Sequence, residues 1–252
     1  MKLTEFFERT YVVNLPDRQD RRRDITRELT NVGISFAPNH VEIFPAIRPE
    51  TAGEFPSVGA CGCFLSHLSI LKHARQQNLS NVLVMEDDLA ISKTLIAQQS
   101  ALTEQLQSQD WGMVYLGHYL TDRNLPKVDP NGRSPEEAVH LEPYTLVIQT
   151  THFYGVNGQI LDRLIAFLEQ LQQRPAGHPD GGPMHVDGAY STFRAQNPDI
   201  PTLIAEPNLG WQRSSRSDIN ASSWYDYMPA IRNVANVARG AKVWLSNKQR
   251  GL

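Results

Sequence analysis

Asn81-Val82-Leu83-Val84-Met85-Glu86-Asp87-Asp88 is an apolar run that ends in three consecutive carboxylates. Its length and its Val and Leu content predict a strand buried on both faces. The strand's exit then sets fixed negative charge at one edge of a sheet. Adjacent carboxylates repel one another unless a cation holds them, and a hard divalent metal with oxygen ligands is the usual partner. Along an extended exit Glu86 and Asp88 are expected to share one side and Asp87 to face the other. Asp88 is the first expected metal ligand. Glu86 is expected to accept hydrogen bonds from a nucleotide ribose or to serve the metal through a bound water. The structural alternative is a helix N-cap cluster leading to Ser92, but three acids exceed what capping requires. Metal-assisted chemistry on a phosphate-bearing substrate is therefore the first expectation.

Outward from this run, strands and helices alternate. Tyr11–Leu15 predicts a first strand, followed by a helix capped by Asp17 with Asp20 in a variant capping box. Ile25, Leu29 and Val32 form its apolar stripe, and Gly33 ends it. Val41–Phe44 predicts a second strand, and Phe64–Gln77 a helix with Leu65, Leu68 and Leu71 towards the core. Ser92 caps a helix carrying Leu95, Ile96, Leu102 and Leu106, and Met113–Leu116 is a further strand. Leu146–Gln149 and His152–Val156 are expected as paired strands. Asn157 caps a helix with Ile160, Leu161, Leu164, Ile165, Leu168 and Leu171. Segments 121–135 and 174–183 are rich in Pro and Gly and read as loops. His185–Arg194 is expected to be helical and Thr202–Ala205 a late strand. The alternation predicts an α/β fold with a mostly parallel, doubly wound sheet flanked by helices.

In open α/β sheets ligands bind beyond the carboxyl ends of the strands. If the first and third strands are parallel, the arginines after Leu15 and the carboxylates after Met85 share a rim. Steps of four and three carry the stripe of Ile25, Leu29 and Val32 back to Arg22 and Arg18, which are expected to face that rim near the positive end of their helix. Arg21, Arg23 and Arg27 are expected to point outward. Arginines opposite carboxylates suit a diphosphate bridged to a divalent metal.

The 252 residues hold 24 Lys+Arg against 27 Asp+Glu, a formal net charge of -3, and 40% are hydrophobic. That is enough apolar material for one α/β domain, and the charge asks for no nucleic acid. The first ten residues have no apolar core like a signal peptide's, and no window approaches a membrane span. A cytoplasmic protein with no transmembrane segment is expected, compatible with peripheral association at the inner membrane face. Cys61 and Cys63 are too few for a disulfide framework. Together with His67 and His73 they compose an alternative zinc set, although the spacing matches no standard finger.

Three blocks occur in order: Val12-Val13-Asn14-Leu15 with Arg18 and Arg22; Gly59-Ala60-Cys61-Gly62-Cys63-Phe64-Leu65-Ser66-His67; and Leu83-Val84-Met85-Glu86-Asp87-Asp88. With Trp111–Gly117, the segment His152–Leu171, Val186-Asp187, Gln212 and Ser217-Asp218-Ile219, the chain resembles glycosyltransferase family 25. That family includes bacterial lipopolysaccharide and lipooligosaccharide galactosyltransferases and collagen galactosyltransferase domains. The resemblance implies a GT-A-type fold over 1–252. Its nucleotide-sugar-binding half would be 10–117, its acceptor half 118–222, and 223–252 a peripheral segment. It implies a UDP-sugar donor, most often UDP-galactose, inversion at the anomeric carbon, and Mn²⁺ (or Mg²⁺) at Glu86-Asp87-Asp88. It also places Asn14, Arg18, Arg22, Glu86, Asp87 and Gln212 around the donor.

The expected mechanism is direct displacement, with Arg22 helping to stabilise the leaving phosphate and Asp187 taking the acceptor's proton. A second metal contact or a helix cap is the other reading of Asp187. Ser66 and His67 are expected to contact the donor sugar or phosphate, or, for His67, to hydrogen-bond within the core. Gln212 and Asp218 lie in a polar loop that could close over the donor or reach the metal's far side, and Arg213 and Arg216 read as solvated there. The acceptor is expected to be a glycan or lipid-linked glycan. A nucleotide-sugar hydrolase and a non-catalytic sugar-nucleotide-binding module would share the same acids and arginines.

Overall fold

The computed structural model describes residues 1–121 and 138–213. The rest of the expected 121–135 loop, Arg216, the Ser217-Asp218-Ile219 segment and the C-terminal segment lie outside these residues. The first strand, β1 (Arg9–Asn14), follows a one-turn helix α1 (Leu3–Phe6), and leads into α2 (Gln19–Asn31) and β2 (Val41–Pro45). Next come α3 (Val58–Gln76), β3 (Asn81–Glu86), β4 (Leu89–Ile91), α4 (Thr94–Ser108) and β5 (Met113–Leu120). The second half contains β6 (His140–Pro143), β7 (Ile148–Asn157), a 3-10 turn at Gly158–Ile160, α5 (Leu161–Gln173), α6 (Val186–Gln196), β8 (Thr202–Glu206) and β9 (Gly210–Gln212).

One sheet runs in the order β2-β1-β3-β7-β5-β8-β6, with β4 and β9 attached beside β5. On that path β2, β1, β3, β5 and β8 point one way, and only β7 and β6 run against them. The architecture is the α/β one expected, with a mostly parallel sheet flanked by helices. Val13 pairs with Glu86, so β1 and β3 do end on one rim.

Both faces of the sheet are covered. Tyr11, Val82, Val84, Met113 and Tyr154 pack with α3, α5 and α6, while Val12, Leu83, Met85, Val114 and Phe153 pack with α1, α2 and α4. Period-two alternation in a doubly covered strand produces this split and explains why β3 reads as an unbroken apolar run. Helix α5 buries Leu161, Leu164, Ile165, Leu168 and Leu171, as its spacing predicts. Burying each such side chain contributes about 1.5–3 kcal/mol.

Several expectations need correction. Helix α2 starts at Gln19 with Arg18 as its cap residue and no side-chain cap, while Asp17 pairs with Arg48 at 3.1 Å. Helix α3 begins six residues earlier than expected, at Val58, where the Ser57 side chain accepts from the Ala60 amide at 3.0 Å. Gly59 and Gly62 lower helix propensity and hide this turn. A Cβ at Gly62 would lie 2.5 Å from the Ile47 carbonyl oxygen, so the glycine admits the chain leaving β2. Ile96 is 50% exposed rather than core. The two strands expected at 146–156 are one strand, β7, bent at Thr150, whose φ is 72°.

Candidate active site

The rim gathers the ends of β1 and β3, the start of β7, the N-termini of α2 and α6, the early turns of α3, and β9. Glu86 continues the Val82-Val84 side of β3 and faces α3. Its Oε1 accepts from the Thr151 hydroxyl at 3.0 Å and its Oε2 from Gln212 Nε2 at 3.1 Å. Gln212 is thus beside the acids. Asp87 turns to the opposite face, where Asn14 Nδ2 donates to Oδ2 at 2.7 Å and Arg21 Nη1 to Oδ1 at 3.0 Å. The chain leaves β3 in a turn after Glu86. Strand alternation therefore stops, and Asp88 joins Asp87 rather than Glu86, with its Oδ2 3.5 Å from the same Arg21 nitrogen.

Arg21, not Arg18 or Arg22, meets the carboxylates. Arg18 forks onto Asp20 through Nε at 3.0 Å and Nη2 at 2.9 Å, and Arg22 is exposed. Positions 21 and 22 flank the stripe of Ile25, Leu29 and Val32 on either side at about equal angles, so spacing alone does not choose between them. Contact of α2 with β4 decides it, for Glu28, two turns after Arg21, accepts from the Ile91 amide at 2.8 Å. Arg213 is also engaged rather than solvated. Its Nη2 donates to the Asp87 carbonyl at 3.1 Å and its amide to the Asp88 carbonyl at 2.8 Å.

Asp187 lies in the first turn of α6, where the Thr150 amide donates to Oδ2 at 3.1 Å and the Gly188 amide to Oδ1 at 2.9 Å. Ser66 does not face the rim. It is fully buried, donates to the Gly62 carbonyl at 2.6 Å and accepts from the Ile47 amide at 2.8 Å, which pins the chain after β2 onto α3. His67 is buried as well, but its Nε2 reaches within 3.6 Å of Glu86 Oε1 while Nδ1 pairs with the Tyr154 hydroxyl at 2.8 Å. The four-residue zinc set does not form: Cys61 is in the core and the His73 ring packs against Tyr11 and Phe44. Only Cys63 and His67 converge, with Glu86 as third member.

Thr150 and Thr151 escaped the sequence reading, and His152 entered it only as the start of a strand and of a resembling segment, although a polar run between two apolar segments of one strand was a visible irregularity. His152 is fully buried. A carbonyl can only accept, so Nε2 donates to Gly210 O at 3.0 Å and Nδ1 accepts from the Thr150 hydroxyl at 2.7 Å. Burial lowers its pKa, in keeping with this neutral form. The bond ties β9, and so Gln212, to β7.

The charges here are in conflict. Burial, then Glu86, push Asp88 up to about 7 against the pull of Arg21. Burial also raises Asp87, opposed by Asn14 and Arg21, and raises Asp187, opposed by the two amides. Burial works against the charge on Glu86 too, but there the His67 ring and the hydroxyl of Thr151 outweigh it and its pKa is lowered. Asp88 Oδ1 is buried with no hydrogen-bond partner among the described residues. An orphaned carboxylate oxygen amid crowded negative charge fits a divalent cation.

The profile of Glycosyltransferase family 25 (LPS biosynthesis protein) matches residues 7–175. The chain belongs to glycosyltransferase family 25. The family 25 match spans Asn14, the arginines of α2, the α3 block, the acidic triplet and Thr150–His152, and ends before Asp187 and Gln212. Procollagen galactosyltransferase 1-B of Xenopus laevis is 30% identical over 158 residues, covering 53% of this chain and 23% of that protein. Procollagen galactosyltransferase 2 of Homo sapiens is 25% identical over 278 residues, covering 96% of this chain and 41% of that protein. The Homo sapiens protein named inactive glycosyltransferase 25 family member 3 is 27% identical over 129 residues, 44% of this chain and 22% of its own length. This family 25 chain therefore spans between about a fifth and two fifths of the length of these relatives. Among solved structures, a glycosyltransferase involved in glycosylation of the major capsid of PBCV-1 overlays with a TM-score of 0.47 at 10% identity, covering 89% of this chain and 98% of that one.

Proposed function

We propose that this chain is an inverting hexosyltransferase. It would move galactose from UDP-galactose to a hydroxyl of a glycan or lipid-linked glycan with the help of Mn²⁺ (or Mg²⁺). The observation that carries the reading is the buried, unpartnered Asp88 Oδ1 beside Asp87 and Arg21 at the carboxyl rim. Asp88 would hold the cation, which when bound would neutralise charge on the leaving diphosphate, while Glu86, turned to the α3 side, stands outside that set. Arg21 takes over the role first expected of Arg22, an always-charged donor beside that phosphate. Asn14 fixes Asp87, and Thr151 and Gln212 fix Glu86, so the acidic wall is set before substrate arrives. Asp187 accepts the proton of the attacking hydroxyl as the new glycosidic bond forms and the bond to UDP breaks. Burial raises its pKa above the ordinary carboxylate value, which makes its carboxylate a stronger base than a solvated one. The setting is the cytoplasm, at the inner membrane face where the acceptor is lipid-linked. Among the described residues no helix is long and apolar enough to cross a membrane.

The test begins with thermal stability in the presence of UDP, GDP and CDP sugars, each with and without Mn²⁺. UDP-galactose with Mn²⁺ is expected to raise the melting temperature most, and no shift with any pair would overturn the reading. Asp187→Asn is expected to lower turnover by roughly a hundredfold or more while sparing the donor-induced shift. Free galactose released from donor alone at full rate would instead identify a hydrolase. Binding without turnover across an acceptor panel would align the chain with its relative named inactive.

A further inference from the structure

On the α3 side of the rim, Cys63 Sγ, a ring nitrogen of His67 and a carboxylate oxygen of Glu86 lie within 4.8 Å of one another. Cys63 and His67 are one helical turn apart on α3 and point the same way. Glu86 meets them from the end of β3. His67 Nδ1 is engaged by Tyr154, yet the buried Nε2, aimed at the thiol and the carboxylate, has no hydrogen-bond partner among the described residues. Its nearest charged neighbour, Glu86 Oε1, is 3.6 Å away, beyond hydrogen-bond reach.

We propose that Cys63, His67 and Glu86 form a site for a borderline-soft divalent metal, Zn²⁺, distinct from the oxygen-lined cation site at Asp88. A thiolate, an imidazole and a carboxylate are zinc's ligand types, whereas Mn²⁺ and Mg²⁺ favour oxygen. Three protein ligands leave the fourth tetrahedral position open to water. Proton placement is consistent throughout. For Nε2 to bind metal, Nδ1 carries the hydrogen and donates to the Tyr154 hydroxyl. That hydroxyl in turn donates to Tyr190, 2.9 Å away. Such an outer partner orients a metal-bound imidazole. The Cys63 thiol gives its proton to solvent as the Zn–S bond forms. Glu86 offers Oε1 in place of its bond from Thr151 and keeps Gln212 on Oε2. Entry is open, since Cys63 is only partly buried and 18% of the Glu86 side chain is exposed. The inference stands whether or not the chain transfers sugar.

The full chain, stripped by chelation, is titrated with Zn²⁺ by calorimetry and in parallel with Co²⁺. Roughly one equivalent of Zn²⁺ is expected, and Co²⁺ should give a thiolate charge-transfer band in the near ultraviolet. Cys63→Ser is expected to remove both signals, and Cys61→Ser and Asp88→Asn neither. A missing band, a band that survives Cys63→Ser, or zinc binding lost with Asp88→Asn alone would overturn the proposal. If Cys63→Ser does not fold, unaltered protein carries the test. Zn²⁺ should slow alkylation of Cys63 several-fold, as read by peptide mass, and an unchanged rate sinks the site.

Discussion

Asp88 keeps one oxygen near Arg21 and leaves the other unpartnered, with only 15% of its side chain exposed. Its pKa rises from 3.8 to about 7 through burial and the Glu86 charge. Between those values the unfolded chain releases its proton while the folded one retains it, so apo stability falls as pH rises through that window and levels off above it. Asp88→Asn removes the penalty. Without divalent cations it is expected to be about 2 kcal/mol more stable than the parent at pH 8 and no more stable at pH 4, as read by chemical denaturation. The same variant should lose the stabilisation conferred by Mn²⁺ with UDP. Arg21→Ala leaves Asp87 and Asp88 without their shared cation and should cost about 2 kcal/mol at neutral pH. Arg22→Ala should stay within about 0.5 kcal/mol. Equal losses would return Arg22 to the site. At this scale the structure sets Asn14, Gln212 and Asp187 beside the acids, whereas the sequence alone puts only the acids and the arginines of α2 on one rim. The sequence reading missed Arg21 because adjacent positions flank one stripe, and it missed the direction of Asp88 because the turn after Glu86 has no signal in the triplet itself.

Strand β9 brings Gln212 to Glu86, and its attachment is tight. A Cβ at Gly117 of β5 would lie 2.5 Å from His152 Nε2 and 2.8 Å from the Gly210 carbonyl oxygen, the two ends of the bond that anchors β9. Gly117→Ala therefore has to push β9 or the imidazole aside. It is expected to destabilise the fold by about 2 kcal/mol with an unchanged denaturant slope and to weaken the UDP-dependent thermal shift. Retention of the full shift would mean that β9 is not part of the donor site. Elements were legible where a periodic stripe ran long enough. Helix α5 and the apolar run of β3 needed nothing beyond their spacing. Strands β4, β6 and β9 have three or four residues each, too few for a period to register. Helix α3 lost its first turns to glycines that serve a tertiary contact, since Gly62 yields to Ile47. In β7, Thr150 broke the pattern because its backbone is bent to deliver an amide to Asp187 and a hydroxyl to His152.

At the scale of the molecule, the expected halves 10–117 and 118–222 interlock. Strand β7, from the second, lies between β3 and β5 of the first and pairs with both. Helices α5 and α6, also from the second, pack on α3 and share its buried cluster with Ile70, Leu71 and Ala74. A chain cut after residue 121 would keep every carboxylate of the triplet and Arg21. It would nonetheless leave β3 and β5 as open edges, and one face of the sheet would be stripped of two helices. Open edges and exposed apolar clusters do not hold a sheet of this size together. The fragment 1–121 is accordingly expected to show no cooperative melt and no near-ultraviolet dichroism. The whole chain should unfold in one transition that UDP-galactose and Mn²⁺ displace as a unit. If the fragment melted cooperatively and still retained UDP, the donor half would be a folding unit in its own right. Glu86 would then be held in place without Thr151 and Gln212, and the acidic wall would owe nothing to the strands that arrive after it.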